Sequence, residues 1–200
     1  MNAIAARGLA MLVLLSTLAV VAQATLIEQL LTPWRWVTET LEPDFRVVNL
    51  RARVVGSEAM IELIVEPARV IFIGGHAIVP DPAQPERAKS SMPRGATWLL
   101  LTAFVVTLVT WPLKQPSREW PARLLLGLPV LVALLMLDVP ITLLGPLRSL
   151  LVGMNPGDSD AWILGSQFLR GGGRYFVALV GAAGICIAIQ ERLLRKKKPS

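Results

Sequence analysis

The chain contains two kinds of hydrophobic pattern, which are long apolar stretches and a segment in which apolar residues alternate with other residues. Residues 8–27 form an apolar stretch without a charge, and further apolar stretches follow at 96–113, 122–144 and 175–189. About 20 apolar residues are enough for a helix to cross the hydrocarbon core of a bilayer. The last stretch reaches that length if the neighbouring glycines or Gln190 enter the membrane interface. The pattern therefore predicts a mainly α-helical membrane protein with four transmembrane helices.

The stretch 45–80 has a different pattern. Apolar side chains occupy alternate positions over 48–55, and the alternation resumes over 59–65 after Gly56-Ser57. A period of two is typical of a strand, and glycine at the first position of a two-residue turn suits a type II′ hairpin. Closing the hairpin at this turn predicts three cross-strand pairs: Arg51–Glu62, Ala52–Ile61 and Leu50–Leu63.

A third strand is expected at 69–73, which would complete an antiparallel segment of about three strands. We expect its apolar face to bind a partner through four candidate residues: Ile61, Leu63, Val65 and Ile71. A small sheet of this kind is marginal without a cover, which a membrane-proximal helix, a second copy or a partner would supply. Residues 80–93 are rich in proline and polar side chains, and they predict an extended linker.

The first apolar stretch has two interpretations. Arg7, the apolar run and Ala22-Gln23-Ala24 resemble a secretory signal peptide with a small-residue cleavage site. A retained helix is favoured, because apolar side chains continue at helical spacing as far as Trp34. Trp34 and Trp36 flank Arg35, which indicates an anchor at the membrane interface or a lid over the sheet.

Composition supports the membrane class. Hydrophobic residues make up 54% of the chain, and the mean hydropathy is +0.57. The net charge of +6 comes partly from a cluster of cations at the C-terminus, and the cations are not interleaved with aromatic residues as in a nucleic-acid-binding face. The composition therefore predicts a lipid bilayer as a partner and no nucleic acid.

Cations in short loops predict the orientation. They occur in the connection 113–123 and in the basic tail 192–200, which we expect in the cytoplasm of a bacterium. Both termini would then be cytoplasmic in a multi-pass inner-membrane protein, and residues 28–95 would be periplasmic. The predicted organisation is a first helix over 1–27, the extracytoplasmic segment, a three-helix region over 96–191 and the tail.

Asp138 is the acid that lies well inside an apolar stretch, near its outer end. An ionisable residue in a membrane helix is costly and is a functional candidate by default. It would serve in ion or proton coupling, or it would reach water or pair with Arg148 or Arg174.

Small residues recur along the last apolar stretch. The candidates for close helix packing are Ala178, Ala182, Gly184 and Cys186. Small side chains let membrane helices approach one another closely. They would pack within the chain's own helices or dock a larger membrane protein or a second copy.

The chain contains no motif of a known catalytic, cofactor or metal site. Its one histidine, His76, follows Gly74-Gly75 and has no second ligand nearby in sequence, which favours a turn residue over a metal ligand. Cys186 has no histidine or arginine beside it that would activate a thiol. We therefore expect a non-enzymatic protein without a cofactor.

The segment IVEPARVIFIGGHAIVP, followed by a polar linker and an apolar stretch, resembles the small accessory membrane proteins encoded beside exosortases, especially the H-type systems. The resemblance implies an inner-membrane helper of a protein-sorting transpeptidase, whose catalytic cysteine, arginine and histidine would belong to the partner. The leading hypothesis is an accessory protein that binds a membrane or periplasmic partner. The alternative is a small transporter or channel subunit that uses Asp138.

Overall fold

The computed structural model describes residues 3–73, 76–80, 87–114, 116–152 and 160–195. The helices are α1 (Ala3–Leu41), α2 (Arg94–Thr110), α3 (Pro116–Val152), α4 (Ala161–Phe168) and α5 (Arg174–Arg195), with a π-helical turn, Leu169–Gly173, between the last two. The strands are β1 (Phe45–Val55), β2 (Glu58–Pro67), β3 (Ile71–Ile73), β4 (His76–Ile78) and β5 (Ala88–Pro93).

The prediction of four transmembrane helices is wrong. In the described part of the chain, two helical stretches are long and apolar enough to cross a membrane, Arg118–Ser149 and Ala161–Arg192. Helix α2 has 17 residues, and at about 1.5 Å per residue it is shorter than a hydrocarbon core of roughly 30 Å. The apolar stretch 8–27 belongs to α1, and most of its side chains lie outside the described part.

The chain forms two compact units, each assembled from separate segments. The helical unit consists of Met1–Gln23, Trp98–Leu135 and Arg174–Ser200, and the sheet unit consists of Ala24–Thr97 and Met136–Gly173. The sheet unit therefore includes the C-terminal halves of α1 and α3. These boundaries differ from a division of the sequence into consecutive segments, because both long helices contribute to both units.

The hairpin has the predicted register. Strands β1 and β2 are antiparallel, and all three predicted cross-strand pairs are present. Gly56 has a φ of 63°, and in the described part of the chain a positive φ occurs at glycines alone. A positive φ at the first turn residue alone fits the predicted type II′ turn, since type I′ would require it at Ser57 as well.

The third strand of the main sheet is β5 and not the predicted strand at 69–73. The sheet order is β1-β2-β5, whereas β3 pairs with β4 in a separate two-stranded sheet. The prediction that 69–73 would join the hairpin is therefore wrong, as is the prediction of a linker for 88–93. Residues 81–86 of that predicted linker lie outside the described part.

A β-bulge shifts the start of β1. The register changes between Val47 and Asn49, so Phe45 and Val47 are buried in the core, where the strict alternation predicted Val48. A bulge interrupts the ladder of hydrogen bonds locally. Arg35 of α1 donates to the Val47 carbonyl oxygen at 2.9 Å, and this bond supports the strand where the bulge disrupts it.

One face of the main sheet packs against helices α1 and α3 in the core of the sheet unit. Trp34 and Ile27 of α1 are buried in this core. Helix α3 contributes a row of apolar side chains on one helical face: Val139, Leu143, Leu144 and Leu147. The chain itself therefore supplies the cover that the small sheet needs.

Candidate functional site: the outer face of the sheet

The predicted partner-binding residues on β2 belong to the core of the sheet unit. Ile61, Leu63 and Val65 are each 0% exposed, and they pack in the cluster that contains Trp34. The side chain of Ile71 lies outside the described part. A partner that binds this sheet would therefore meet its opposite face, which we call the outer face.

The outer face has a regular arrangement of charges. On the central strand β2 it presents Glu58, Met60, Glu62, Ile64 and Glu66. The register places Arg53 and Pro93 on either side of Met60, Arg51 and Ser91 beside Glu62, and Asn49 and Lys89 beside Ile64. Cations on both flanking strands thus border a central row in which carboxylates and apolar side chains alternate. We call five side chains the rim cations: Arg46, Arg51 and Arg53 on β1, and Arg87 and Lys89 at the start of β5.

Three rim cations are held by the central carboxylates. Arg51 contacts Glu62 with an N–O distance of 2.7 Å. Glu66 accepts hydrogen bonds from Arg46 at 2.9 Å and from Arg87 at 3.0 Å, and so links β1 with the start of β5. The two carboxylates are largely shielded, whereas the three guanidinium groups remain substantially exposed. Carboxylates therefore fix the guanidinium groups in place while leaving them open to solvent.

The positive surroundings alter the acidity of both carboxylates. The hydrogen bond from Arg51 lowers the pKa of Glu62, and the charges of Arg51, Arg53 and Lys89 lower it further against the opposing effect of burial. Hydrogen bonds from Arg46 and Arg87 lower the pKa of Glu66. Both glutamates are therefore ionised at neutral pH.

Arg53 and Lys89 differ from the other rim cations. Both are exposed, and in the part of the chain that the structure describes neither forms an ion pair with a carboxylate within 4.0 Å. They lie on opposite borders of the central strand. The outer face thus presents two cations whose charges are not neutralised by a direct partner.

A buried ion pair holds the ends of three helices together in the sheet unit. Glu42, directly after α1, is 1% exposed, and Arg148 of α3 contacts it at 2.5 Å. Arg148 also lies 3.3 Å from Asp160, whose carboxylate caps the N-terminus of α4 by accepting from the Trp162 N–H at 2.8 Å. This cluster has a structural explanation, since it joins helix ends and pairs a buried carboxylate with a cation.

Two arginines donate hydrogen bonds to backbone carbonyl oxygens that prolines leave without a donor. Pro112 cannot donate to the Leu108 carbonyl oxygen, and buried Arg123 donates to it at 2.9 Å. Pro146 likewise leaves the Thr142 carbonyl oxygen without its helical donor, and Arg170 donates to it at 3.1 Å. Arg170 also donates to the Ser91 carbonyl oxygen of β5 at 3.3 Å. These contacts stabilise helix α2, helix α3 and the edge of the sheet.

The surroundings of Arg123 complete a polar cluster in the helical unit. Arg123 pairs with buried Glu119 at 2.9 Å, and Glu119 accepts from the Lys114 N–H at 2.8 Å. Gln190 of α5 donates to the Pro112 carbonyl oxygen at 2.7 Å. The start of α3 and the C-terminal part of α5 therefore lie side by side.

Asp138 is buried in the sheet-unit half of α3. The sequence placed it near the outer end of a helix, but α3 continues through Pro140 and Pro146 to Val152. Arg148, one of its expected partners, contacts Glu42 and Asp160. In the described residues no group of three or more histidine, cysteine, aspartate or glutamate side chains could hold a metal ion, and the side chain of His76 lies outside them.

The small residues of α5 are used within the helical unit. Ala178, Ala182 and Cys186 are fully buried and pack against Phe104 of α2 and Leu135 of α3. A Cβ atom added at exposed Gly184 would meet no heavy atom within 4 Å. Packing inside the chain, one of the two sequence interpretations, therefore accounts for the buried members of this set.

Comparisons with models of known families, with characterised proteins and with solved structures find no match to this chain.

Proposed function

We propose that this chain is a non-enzymatic accessory protein of the bacterial inner membrane, and that its outer face binds a partner protein. The observation that carries the proposal is the paired arrangement of exposed cations and shielded carboxylates on that face. Carboxylates that orient arginines without covering them are suited to recognition, because fewer side-chain conformations must be fixed on binding. The buried ionic clusters described above have structural roles that account for their residues.

The membrane location rests on the two helical stretches that could cross a bilayer. In the helical unit, large apolar side chains point away from the packed core, including Leu125 at 75% exposure on α3 and Phe176 at 62% on α5. Such side chains are suited to contact with lipid tails. The proposed orientation has the connection at 113–123 and the basic tail in the cytoplasm, which is consistent with the two candidate spans that lie between them.

Labelling tests the orientation separately from the function. A Ser159→Cys variant in the connection between the two candidate spans, made in a Cys186→Ala background, should react in spheroplasts with a membrane-impermeant maleimide. Ser200→Cys in the basic tail should react after the membrane is permeabilised. The reverse pattern would contradict the orientation and leave the binding proposal to be tested independently.

The resemblance to exosortase-associated proteins suggests the kind of partner. We propose a membrane protein of an exosortase-type protein-sorting system, which would supply the catalytic groups. In this proposal the accessory chain contributes a binding surface and a membrane anchor to the assembly.

Affinity capture tests the proposed function. Wild-type protein is purified in mild detergent with its partners, alongside a rim variant, Arg53→Gln/Lys89→Gln, which removes the two cations without an ion pair. A control variant, Thr32→Glu/Thr40→Glu, makes the same change in net charge at exposed positions of α1 in the same unit. We expect mass spectrometry to identify a partner with the wild type and the control, and much less of it with the rim variant. Equal recovery with all three proteins would contradict binding through the outer face.

A further inference from the structure

We infer that the outer face binds an acidic polypeptide segment, whose carboxylates contact the rim cations on both sides of β2. This inference rests on the proposed function, and it names the chemistry of the partner. Its starting point is the charge on the face, where five cations accompany the three carboxylates of Glu58, Glu62 and Glu66. The face therefore keeps an excess of positive charge after its internal ion pairs are formed.

The spacing of the rim cations suits an extended chain. Neighbouring strands lie about 4.8 Å apart, so the two rows of cations start from backbones about 10 Å apart, on β1 and β5, with β2 between them. The side chains of Arg46 and Arg87 converge on Glu66, whereas Arg53 and Lys89 lie on opposite borders of β2. Arg51 and Arg53 project from the same face of β1 about 7 Å apart along the strand. An extended segment above β2 would direct alternate side chains toward opposite rows, because its own side-chain period is two.

The ion pairs within the face leave hydrogen-bond donors for a ligand. Each guanidinium group has five N–H donors, and Arg46 and Arg87 each form one hydrogen bond with Glu66. Arg53 and Lys89 form no ion pair in the described part of the chain, so no carboxylate within the face has to be displaced before they bind a ligand. Carboxylates of a partner would thus find oriented donors around Glu66, and cations without an ion pair beside Ile64 on β5 and beside Met60 on β1.

The carboxylates in the central row favour a polypeptide over an anionic lipid surface. A bilayer of acidic lipids would bring negative headgroups against Glu58, Glu62 and Glu66, and this repulsion would offset part of the attraction to the cations. A polypeptide can place carboxylates over the two rows and neutral or apolar side chains over the middle. Met60 lies between Glu58 and Glu62 in that middle row, is partly exposed and would contact such side chains, whereas Ile64, between Glu62 and Glu66, is buried.

Fluorescence anisotropy with a labelled poly-glutamate peptide tests this inference. The full-length protein is held in nanodiscs of phosphatidylcholine, so that the surrounding lipid adds no net charge. We expect the wild type to bind and binding to weaken as sodium chloride is added. The rim variant, Arg53→Gln/Lys89→Gln, should bind about tenfold more weakly, because two of the five cations are removed. The control variant, Thr32→Glu/Thr40→Glu, should bind like the wild type.

Three results would overturn the inference. One is a peptide affinity that falls equally in the rim and control variants, which would indicate attraction to net charge alone. Another is the absence of peptide binding by a wild-type protein whose thermal unfolding shows that it is folded. The third is preferred binding to phosphatidylglycerol vesicles through Arg53 and Lys89, which would assign these cations to a lipid surface.

The two proposals can fail separately. A rim variant that loses its captured partner, combined with a wild type that does not bind the peptide, would contradict an acidic ligand and retain the partner-binding function. Peptide binding that depends on Arg53 and Lys89, combined with identical partner recovery from wild type and rim variant, would contradict the proposed function and retain an acidic-segment site.

Discussion

Two arginine side chains supply hydrogen-bond donors where prolines remove backbone donors from helices. Pro112 and Pro146 each remove a backbone donor, and Arg123 and Arg170 donate to the carbonyl oxygens that lose their partners. The prolines are visible in the sequence, but the arginines lie 15 and 28 residues away from the carbonyls they contact. Sequence reasoning identifies where a donor is missing, and the fold determines which residue replaces it.

Replacement of Arg148 tests the buried ion pair. Arg148→Gln leaves the buried Glu42 carboxylate without its cation, and we expect the free energy of unfolding to fall by about 3 kcal/mol. Arg69→Gln is the matched control, because Arg69 pairs with Asp44 while 68% of its own side chain is exposed, and it should cost less than about 1 kcal/mol. Denaturation of both variants in detergent provides the comparison, and similar losses would contradict the structural role of Arg148.

Substitution of Asp138 separates the two functional hypotheses. Asp138→Asn keeps the size of the side chain and removes its ionisable group. An accessory protein should retain partner recovery within about twofold, since partner contact is assigned to the outer face. Proton flux into proteoliposomes that is present in wild type and lost in Asp138→Asn would instead favour the transporter hypothesis.

At the scale of elements, the hairpin shows what the sequence can predict. Period-two alternation and Gly56-Ser57 are local signals, and they determine the register from Val55↔Glu58 to Leu50↔Leu63. The bulge and β5 depend on tertiary packing. Ala88, Ser90 and Met92 do alternate with more exposed residues, but proline-rich flanks hide that short signal, and β5 is stabilised by the distant strand β2. The sequence therefore predicts the Arg51–Glu62 pair, and it does not predict that Arg46, Arg87 and Lys89 share a surface with it.

Acid should weaken the sheet through its central glutamates. The pKa values of Glu62 and Glu66 are lowered in the folded protein, so the unfolded chain binds protons more readily as the pH falls below the ordinary value of 4.5. The contribution of these groups is present above that pH and is lost as the pH falls through the lowered values. Urea midpoints measured across this range should decline with acid. The decline should be shallower in Glu66→Gln and unchanged in Glu58→Gln, which removes a carboxylate without an ion pair in the described part. Identical profiles for both variants would contradict the role of Glu66.

Close packing of α3 against α4 depends on Gly145. A Cβ atom there would lie 2.2 Å from the Ser166 Cβ and 3.1 Å from the Trp162 carbonyl oxygen. We therefore expect Gly145→Ala to reduce the free energy of unfolding by about 1–3 kcal/mol, measured by chemical denaturation. Gly165→Ala in the same interface is the control, because its Cβ would meet Ile141 at 3.4 Å, an ordinary contact. Addition of Ser166→Gly should recover part of the loss, and a Gly145→Ala protein as stable as the control would contradict this packing.

At the scale of the whole molecule, the sequence predicts a membrane-associated chain with an inserted sheet. It offers the Trp34–Trp36 part of α1 as a lid over that sheet, and Trp34 is indeed buried in the core of the sheet unit. It does not predict that the end of the apolar stretch of α3 covers the sheet as well. A hydropathy value depends on the residue type and not on what the side chain contacts. Within the single helix α3, Val139 and Leu143 pack in the core of the sheet unit, whereas Leu125 is exposed. For the same reason the sequence predicts a partner surface at the apolar residues of β2. Part of their cover is Trp34 of α1, and another part lies nearly eighty residues away in the chain, at Val139 of α3.

Site-specific crosslinking in living cells tests the central claim most directly. A photo-crosslinking amino acid replaces Ser91 on the outer face in one strain and Thr40 on the exposed side of α1 in another. Ser91 lies beside Glu62 and is not one of the rim cations, so the substitution leaves all five of them in place. We predict that ultraviolet light produces a discrete protein adduct from position 91, and that position 40 produces little of it. An adduct from position 40 alone, equal adducts from both positions, or none from position 91 in a stably expressed protein would contradict the outer face as the partner-binding surface.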